Sequence, residues 1–314
     1  MMDRRDQLVT LFGGSGFIGR YVTQELLQAG VRVRIAGRDP RKAWFLKPLG
    51  GLGQTQFVVA DTHVPHSIAM AAAGSTAVIN LVGVLKGDFE GVHVDLARTI
   101  AESAAAAGAA SFVQLSAIGA DPASASAYGR SKGEGEAAVK AAFPGATIIR
   151  PSIVFGPEDA FINRFARLAT IAPMVPVIGG AAKFQPVYVV DLARAIASAA
   201  VDPGTHAGKT YEIGGPEVVT MRELNARIAA WTDHKRPLTN VPDIVAEAIS
   251  RFGFLPGAPL TRDQWLMLQQ DNVVAADAEG LEAFGIEPTP MAAVAPDWLV
   301  RYRRHGRFAK QRAA

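Results

Sequence analysis

The stretch Leu8-Val9-Thr10-Leu11-Phe12-Gly13-Gly14-Ser15-Gly16-Phe17-Ile18-Gly19 constrains this chain more than any other. The apolar run Leu8–Phe12 reads as a buried parallel strand. Glycines close it, and apolar residues at helical spacing (Phe17, Val22, Leu26) follow until Gly30, a helix stop signal. A strand, a glycine turn and a helix in that order point to a crossover, and so to a parallel sheet flanked by helices. The turn can be read as Gly14-x-Gly16-x-x-Gly19 or as Gly13-x-x-Gly16-x-x-Gly19. Glycine is needed where the backbone takes positive φ or where a phosphate approaches the main chain. The following helix points its N–H groups and positive dipole end at that phosphate. The context therefore predicts a dinucleotide site built from Gly13, Ser15, Gly16, Phe17, Ile18, Gly19 and Arg20.

The alternation continues. Apolar strand patterns at 31–36, 56–60, 77–82, 112–115 and 147–149 are separated by helical patterns, notably at 94–107 and 131–142. Repeated β-α-β units imply an α/β fold, a Rossmann-type doubly wound parallel sheet. After Arg150-Pro151 the regularity weakens and prolines multiply (Pro157, Pro173, Pro176, Pro186). The expected division is a nucleotide-binding domain over 1–154 plus about 185–215. A smaller α/β lobe takes 155–184 plus 216–300, and 301–314 forms a basic tail.

The cofactor type is decided near the end of the second strand. An NAD-binding fold places an acid there, about 20 residues past the glycines, to bond the ribose 2′-hydroxyl. Here the strand ends Ala36-Gly37-Arg38-Asp39. The Arg38 guanidinium suits a 2′-phosphate, which an acid repels, and Arg20 can add a second charge. NADP(H) is expected ahead of NAD(H), which stays open through Asp39. Asp61, after strand three, is placed for the adenine edge or as a helix N-cap. Leu81, Val82 and Gly83, after strand four, are placed for the chain to pass close to the cofactor.

Tyr128 and Lys132 stand four apart and share one face of a helix. An ammonium beside a phenol favours the phenolate and moves a pKa near 10 toward working pH. Such a pair can pass a proton to a carbonyl during hydride transfer, and Lys132 can also bond the nicotinamide ribose. A surface tyrosine beside a solvated lysine gives the same spacing.

There is no cysteine, which excludes disulfides and thiolate metal sites. The six histidines show no metal-site spacing, so no metal is expected. No run approaches the ~18 apolar residues of a membrane span. The N-terminus enters a strand pattern almost at once, so a cytoplasmic protein is expected. The formal charge of +3 includes six Lys and Arg without an acid in 301–314, so the preceding body is net negative. No nucleic-acid partner is expected from that distribution. The aromatic-rich basic tail suits peripheral contact with anionic lipid at the cytoplasmic face of the inner membrane, an acidic partner, or a solvated terminus.

The glycine turn, the strand end at Ser116, Tyr128-x-x-x-Lys132 and the run from Arg150-Pro151 to Gly156-Pro157 together resemble the extended and atypical short-chain dehydrogenase/reductase superfamily. The segment Phe155 to Phe165 and Gln185-Pro186-Val187-Tyr188-Val189-Val190-Asp191 resemble the branch that contains the NADPH-binding accessory subunit of respiratory complex I. The resemblance implies an NADPH-binding Rossmann domain with a structural or assembly role beside complex I and little turnover. It also implies cofactor contacts from Ser116, Tyr128, Lys132, Pro151 and Ile153. Catalytic members of the superfamily carry two serines at the end of strand five, the second bonding the substrate carbonyl. Here Ser116 is followed by Ala117. If Ala117 holds the second position, the carbonyl loses a donor worth roughly 10²–10³ in rate. If the alignment slides by one, Ser116 is the catalytic serine. The alternative function is therefore an NAD(P)-dependent oxidoreductase or epimerase using Tyr128, Lys132 and Ser116.

Overall fold

The computed structural model describes residues 4–234, 236–253, 255, 260–304 and 306. The chain divides into two units, one of Met1–Pro151, Val189–Ile213 and Ala275–Glu287, the other of Ser152–Tyr188, Gly214–Val274 and Pro288–Ala314.

The first unit is a seven-stranded, all-parallel sheet. Its strands β1 (Leu8–Phe12), β2 (Arg32–Gly37), β3 (Thr55–Val59), β4 (Ala77–Asn80), β5 (Ser111–Leu115) and β6 (Thr147–Pro151) are joined by a last strand, Thr210–Ile213. The order across the sheet is Thr210–Ile213, β6, β5, β4, β1, β2, β3. The chain winds outward from β1 to β2 and β3, then returns to place β4 on β1's other side. The order thus reverses between β1 and β4, and a doubly wound sheet opens a crevice beyond the carboxyl ends of the strands at such a reversal. Central strands are buried on both faces, β4 and β5 at every residue, as helix-covered parallel strands must be. Helix α1 (Phe17–Gln28) packs against the helix Val189–Val201, while α2 (Pro65–Ala72), α3 (Leu96–Ala106) and α4 (Ala127–Ala142) pack together in series. Ile68, Ala97, Ile100, Ala101 and Ala104 bury α2 and α3 against Phe12, Val78, Phe112 and Ile148 of the strands.

Three of the differences from the sequence pattern have a clear local reason. Strand β4 ends at Asn80 because its side-chain oxygen accepts the Val82 N–H at 3.1 Å and turns the chain off the ladder. Helix α4 starts at Ala127 rather than 131 because Ser126 caps it, its Oγ accepting from Gly129 N. The segment Ala275–Glu287 groups with the first unit: the Glu279 carbonyl accepts from Glu212 N, and Glu212 Oε2 accepts from Ala275 N.

The second unit has three two-stranded pairs and several short helices. Val154–Phe155 pairs with Val187–Tyr188, Lys183–Phe184 with Val219–Thr220, and Val175–Val177 with Leu238–Asn240. One of its apolar clusters gathers Phe155, Ile162, Leu224, Ile228, Met291 and Leu299. Thr220 and Glu223 form a capping box that starts the helix Met221–Trp231. No described helix is long and apolar enough to cross a membrane.

Candidate functional site

The carboxyl ends of β1 through β6 lie along one edge of the first unit, and the residues singled out from sequence, except Ile153, lie along it. Gly13 takes φ +85°, and a Cβ there would stand 3.1 Å from the Leu81 carbonyl carbon, so the turn after β1 presses on the chain leaving β4. Gly19 has no room for a side chain, since a Cβ would meet Gly13 O at 2.5 Å and Gly14 Cα at 2.6 Å. Gly16 is different. It is the N-cap of α1, no side chain caps it, and a Cβ there would meet only Gly13 O, at 3.3 Å. Packing accounts for Gly13 and Gly19, whereas Gly16, in front of a helix N-terminus, is crowded by a single backbone atom. That cradle fits a pyrophosphate.

Arg38 follows β2 and is exposed. Asp39 is otherwise engaged: it caps the 3-10 helix Pro40–Leu49 and accepts from Arg41 N at 3.2 Å and Arg41 Nε at 2.9 Å. The Arg41 guanidinium holds the Asp39 carboxyl below its ordinary range. Arg20 lies with its guanidinium 4.7 Å from the centre of the Phe45 ring. Asp61 caps no helix. It closes a tight turn by accepting from His63 N at 3.0 Å, and α2 starts later at Pro65.

The centre of the edge is the buried face of α4. Three glycines let this helix sit close to its neighbours. A Cβ at Gly133 would stand 2.5 Å from Asp121 C, one at Gly135 would overlap the His93 carbonyl oxygen, and one at Gly129 would stand 2.7 Å from Ser124 Oγ. Tyr128, Lys132 and Glu136 follow at one-turn intervals on the same face. Lys132 is buried, its Nζ donates to Leu115 O at 3.1 Å, and it lies 5.9 Å from the Tyr128 ring centre. Burial pushes its ammonium down to about 8, against the opposing pull of Glu136.

Glu136 and His93 escape the sequence reading. Glu136 is buried, accepts the Ser116 hydroxyl at 2.5 Å, and is gripped by Arg150 through two bonds, Nε to Oε1 at 2.8 Å and Nη2 to Oε2 at 2.7 Å. Arg150 also reaches Glu212, 3.5 Å away, and is raised above its ordinary value chiefly by its bonds to Glu136. The signal was present as a third residue in the 128, 132, 136 series, with an arginine on the adjacent β6. Ser116, at the end of β5, therefore directs its proton into the protein. Ala117 beside it has no hydroxyl to offer.

His93 lies in a π-helical stretch, Gly91–Asp95, that runs into α3. Such bulges recur at functional sites. Its ring stacks on Phe89 at 5.6 Å and meets Tyr128 edge to face at 5.5 Å. Nε2 accepts from Val84 N at 3.0 Å, so the proton sits on Nδ1, 2.9 Å from Ser131 Oγ, and Ser131 in turn donates to Tyr128 O. Burial and the nearby Lys132 push the imidazole down to about 4, so it is neutral. Asn80, at the end of β4, is tied to Gln114 of β5 at 2.9 Å. Pro151 ends β6, its carbonyl accepting from Ile118 N.

Ile153 belongs to the second unit, as does the Phe155 to Asp191 segment outside the helix Val189–Val201. There Asp159 is buried and accepts from Gly156 N and Ile162 N, ordering the turn before the helix Phe161–Ile171. Arg301 donates to Pro157 O and to Asn163 Oδ1, and Arg303 to Trp231 O. The start of the basic tail is thus packed, while 305 and 307–314 lie outside the described residues. Among the described residues no group of three or more His, Asp or Glu is placed to hold a metal.

Residues 9–214 match the model of the NAD dependent epimerase/dehydratase family. The chain is 36% identical over 307 residues to rat NADH dehydrogenase [ubiquinone] 1 alpha subcomplex subunit 9, mitochondrial, covering 95% of this chain and 81% of that protein. It is 34% identical over 191 residues to a ceramide reductase of Caulobacter vibrioides, covering 59% of this chain and 58% of that protein. Among solved structures, the NADPH complex of an Escherichia coli NADPH-dependent quinone oxidoreductase superposes with a TM-score of 0.75 at 20% identity, over 93% of this chain and 99% of that one. A glycine turn at a strand-order reversal, a match over most of the chain's length and relatives of this kind lead to one assignment: this chain belongs to the NAD dependent epimerase/dehydratase family of Rossmann-fold proteins, and within it is homologous to subunit 9 of the complex I alpha subcomplex.

Proposed function

We propose that this chain holds NADP(H) as a resident structural cofactor, serves respiratory complex I as an accessory or assembly protein, and turns over little or no substrate. The observation that carries this reading is the commitment of the Ser116 hydroxyl to Glu136, with Ala117 next to it. A carbonyl placed against Tyr128 then lacks the serine donor that reductases of this fold use. Homology to a complex I subunit over 95% of the chain supports the partner. Arg38, beside an Asp39 already paired with Arg41, supports the 2′-phosphate over a bare ribose. On this reading Gly13 to Arg20 cradle the pyrophosphate, Arg38 and Arg20 read the phosphate, Asp61 meets the adenine edge, and Leu81 to Gly83 with Pro151 wall the nicotinamide half. Lys132 holds the ribose. The nicotinamide, when bound, supplies a hydride donor or acceptor. We place the protein in the cytoplasm against the inner membrane, with the basic tail touching anionic lipid.

The test is co-purification. The chain should travel with complex I or an assembly intermediate, and its deletion should lower the amount of assembled complex. A complex devoid of this chain, with assembly unaffected by deletion, would contradict the proposal.

A second reading is favoured by one observation. Tyr128 and Lys132 share a helix face, and the ammonium is pushed down to about 8. On that reading the chain is an oxidoreductase or epimerase acting on a carbonyl, sugar-nucleotide or quinone-like substrate. Tyr128→Phe should then abolish turnover and spare cofactor binding. Equal turnover in the variant would sink it.

A further inference from the structure

Lys132 poses a physical problem that the family motif does not address. Its side chain is 6% exposed, and the acceptor it meets among the described residues, Leu115 O, is a neutral carbonyl. A buried ammonium without a counter-charge deprotonates. A neutral amine would grip ribose hydroxyls and a nearby phosphate less well than a cation.

Several groups surround it. From the π-helical stretch comes His93, whose two ring nitrogens are taken by Val84 N and Ser131 Oγ, which fixes it neutral. Tyr128 presents its ring. The end of β5 and the loop at Gly83 bring no charge. One turn along α4 stands Glu136, 5% exposed, tied to Ser116 and clamped bidentately by Arg150. Arg150 leans in turn on Glu212, whose other oxygen accepts from Ala275 N. The charges alternate from Lys132 through Glu136 and Arg150 to Glu212.

We propose that Glu136 is a positioning residue for the cofactor site, whose fixed carboxylate is the counter-charge that keeps buried Lys132 an ammonium able to hold the cofactor. This rests on the reading above that Lys132 meets the cofactor ribose. Arg150 and Ser116 then serve to fix that carboxylate in place. The alternative, a tie that merely joins α4 to β5 and β6, leaves no signature in the pH dependence of binding.

The experiment is NADPH affinity as a function of pH in the full chain, each variant read against wild type so that titration of NADPH itself cancels. Wild-type affinity should fall as pH rises through about 8, where Lys132 loses its proton. In Glu136→Gln the fall should move below about pH 7, so that the variant matches wild type near about pH 6 and binds roughly tenfold more weakly near about pH 7.5. Glu136→Asp, which keeps the charge, should restore the wild-type midpoint even if it lowers the melting temperature. In a Lys132→Met background the Glu136→Gln change should have no further effect on affinity. The proposal is overturned if Glu136→Gln weakens binding equally at every pH, if Glu136→Asp shifts the midpoint as far as Glu136→Gln, or if the effect persists without Lys132. Should Glu136→Gln fail to fold, the Glu136→Asp midpoint decides. Lys132→Met binding as tightly as wild type at all pH values would instead remove the ribose-holding role itself.

Discussion

Ser116 Oγ lies 2.5 Å from Glu136 Oε1, and the carboxylate can only accept, so the serine must donate. With its single proton so placed, Ser116 can present only lone pairs elsewhere. Changing Ser116 to Ala removes a buried bond to a charged acceptor and should cost about 1.5–3 kcal/mol of stability. Urea unfolding of the two proteins checks this. A loss near zero would count against that bond in the folded protein, and the objection to turnover built on it would weaken.

Gly19 is the least replaceable residue of the turn. A methyl group there would press on the Gly13 carbonyl and Gly14 Cα, backbone atoms that cannot swing aside. Gly19→Ala should cost about 1–3 kcal/mol or more, with loss of NADPH binding. Melting temperature and retained nucleotide measure the two effects. At Gly16 the same change meets only Gly13 O at 3.3 Å, so it should lower stability less than Gly19→Ala while still weakening nucleotide binding.

Arg38→Ala should lower NADPH affinity by roughly ten- to a hundredfold through loss of a charge-assisted bond to the 2′-phosphate, and leave NADH affinity unchanged. Titration with both nucleotides separates the outcomes. An equal loss for both would make Arg38 a general electrostatic contributor.

His93 gives an acid limb to stability. Its folded value, about 4, is below the ordinary 6.5, so the unfolded chain binds the extra proton first. Stability from this group is therefore full above about 6.5 and is lost as pH falls toward about 4. His93→Phe keeps a ring between Phe89 and Tyr128, and it should flatten the stability profile across that interval. Unfolding midpoints measured over the interval provide the comparison.

How much could be read in advance varies with the kind of interaction. The sheet was legible because β-α-β alternation and the Gly13 to Gly19 turn are local in sequence, and their physical demands are local too. Strand ends were less so. Asn80 ends β4 through its own side chain, and a side chain that competes with the ladder leaves no trace in an apolar pattern. The Tyr128–Lys132 pair was visible as helical spacing, but its surroundings were not. Arg150 is 14 residues from Glu136, and Ser116 is 20 away. That triad exists only once β5, β6 and α4 are assembled. His93 looked like one of six scattered histidines until the π-helical stretch set it against Tyr128. The grouping of Ala275–Glu287 with the first unit rests on scattered long-range contacts, among them the Glu212 side chain on Ala275 N, the Lys209–Glu279 ion pair and Phe284 against the His206 and Tyr211 rings, none of which composition reveals.

The most direct test of a resident NADP(H) is to purify the protein without added nucleotide, denature it, and identify what is released. The account predicts near-stoichiometric NADP(H) that does not exchange with free NADPH during purification and is not consumed when carbonyl or quinone compounds are supplied. An empty site that binds NAD(H) weakly and exchangeably would contradict it and would favour a working dehydrogenase.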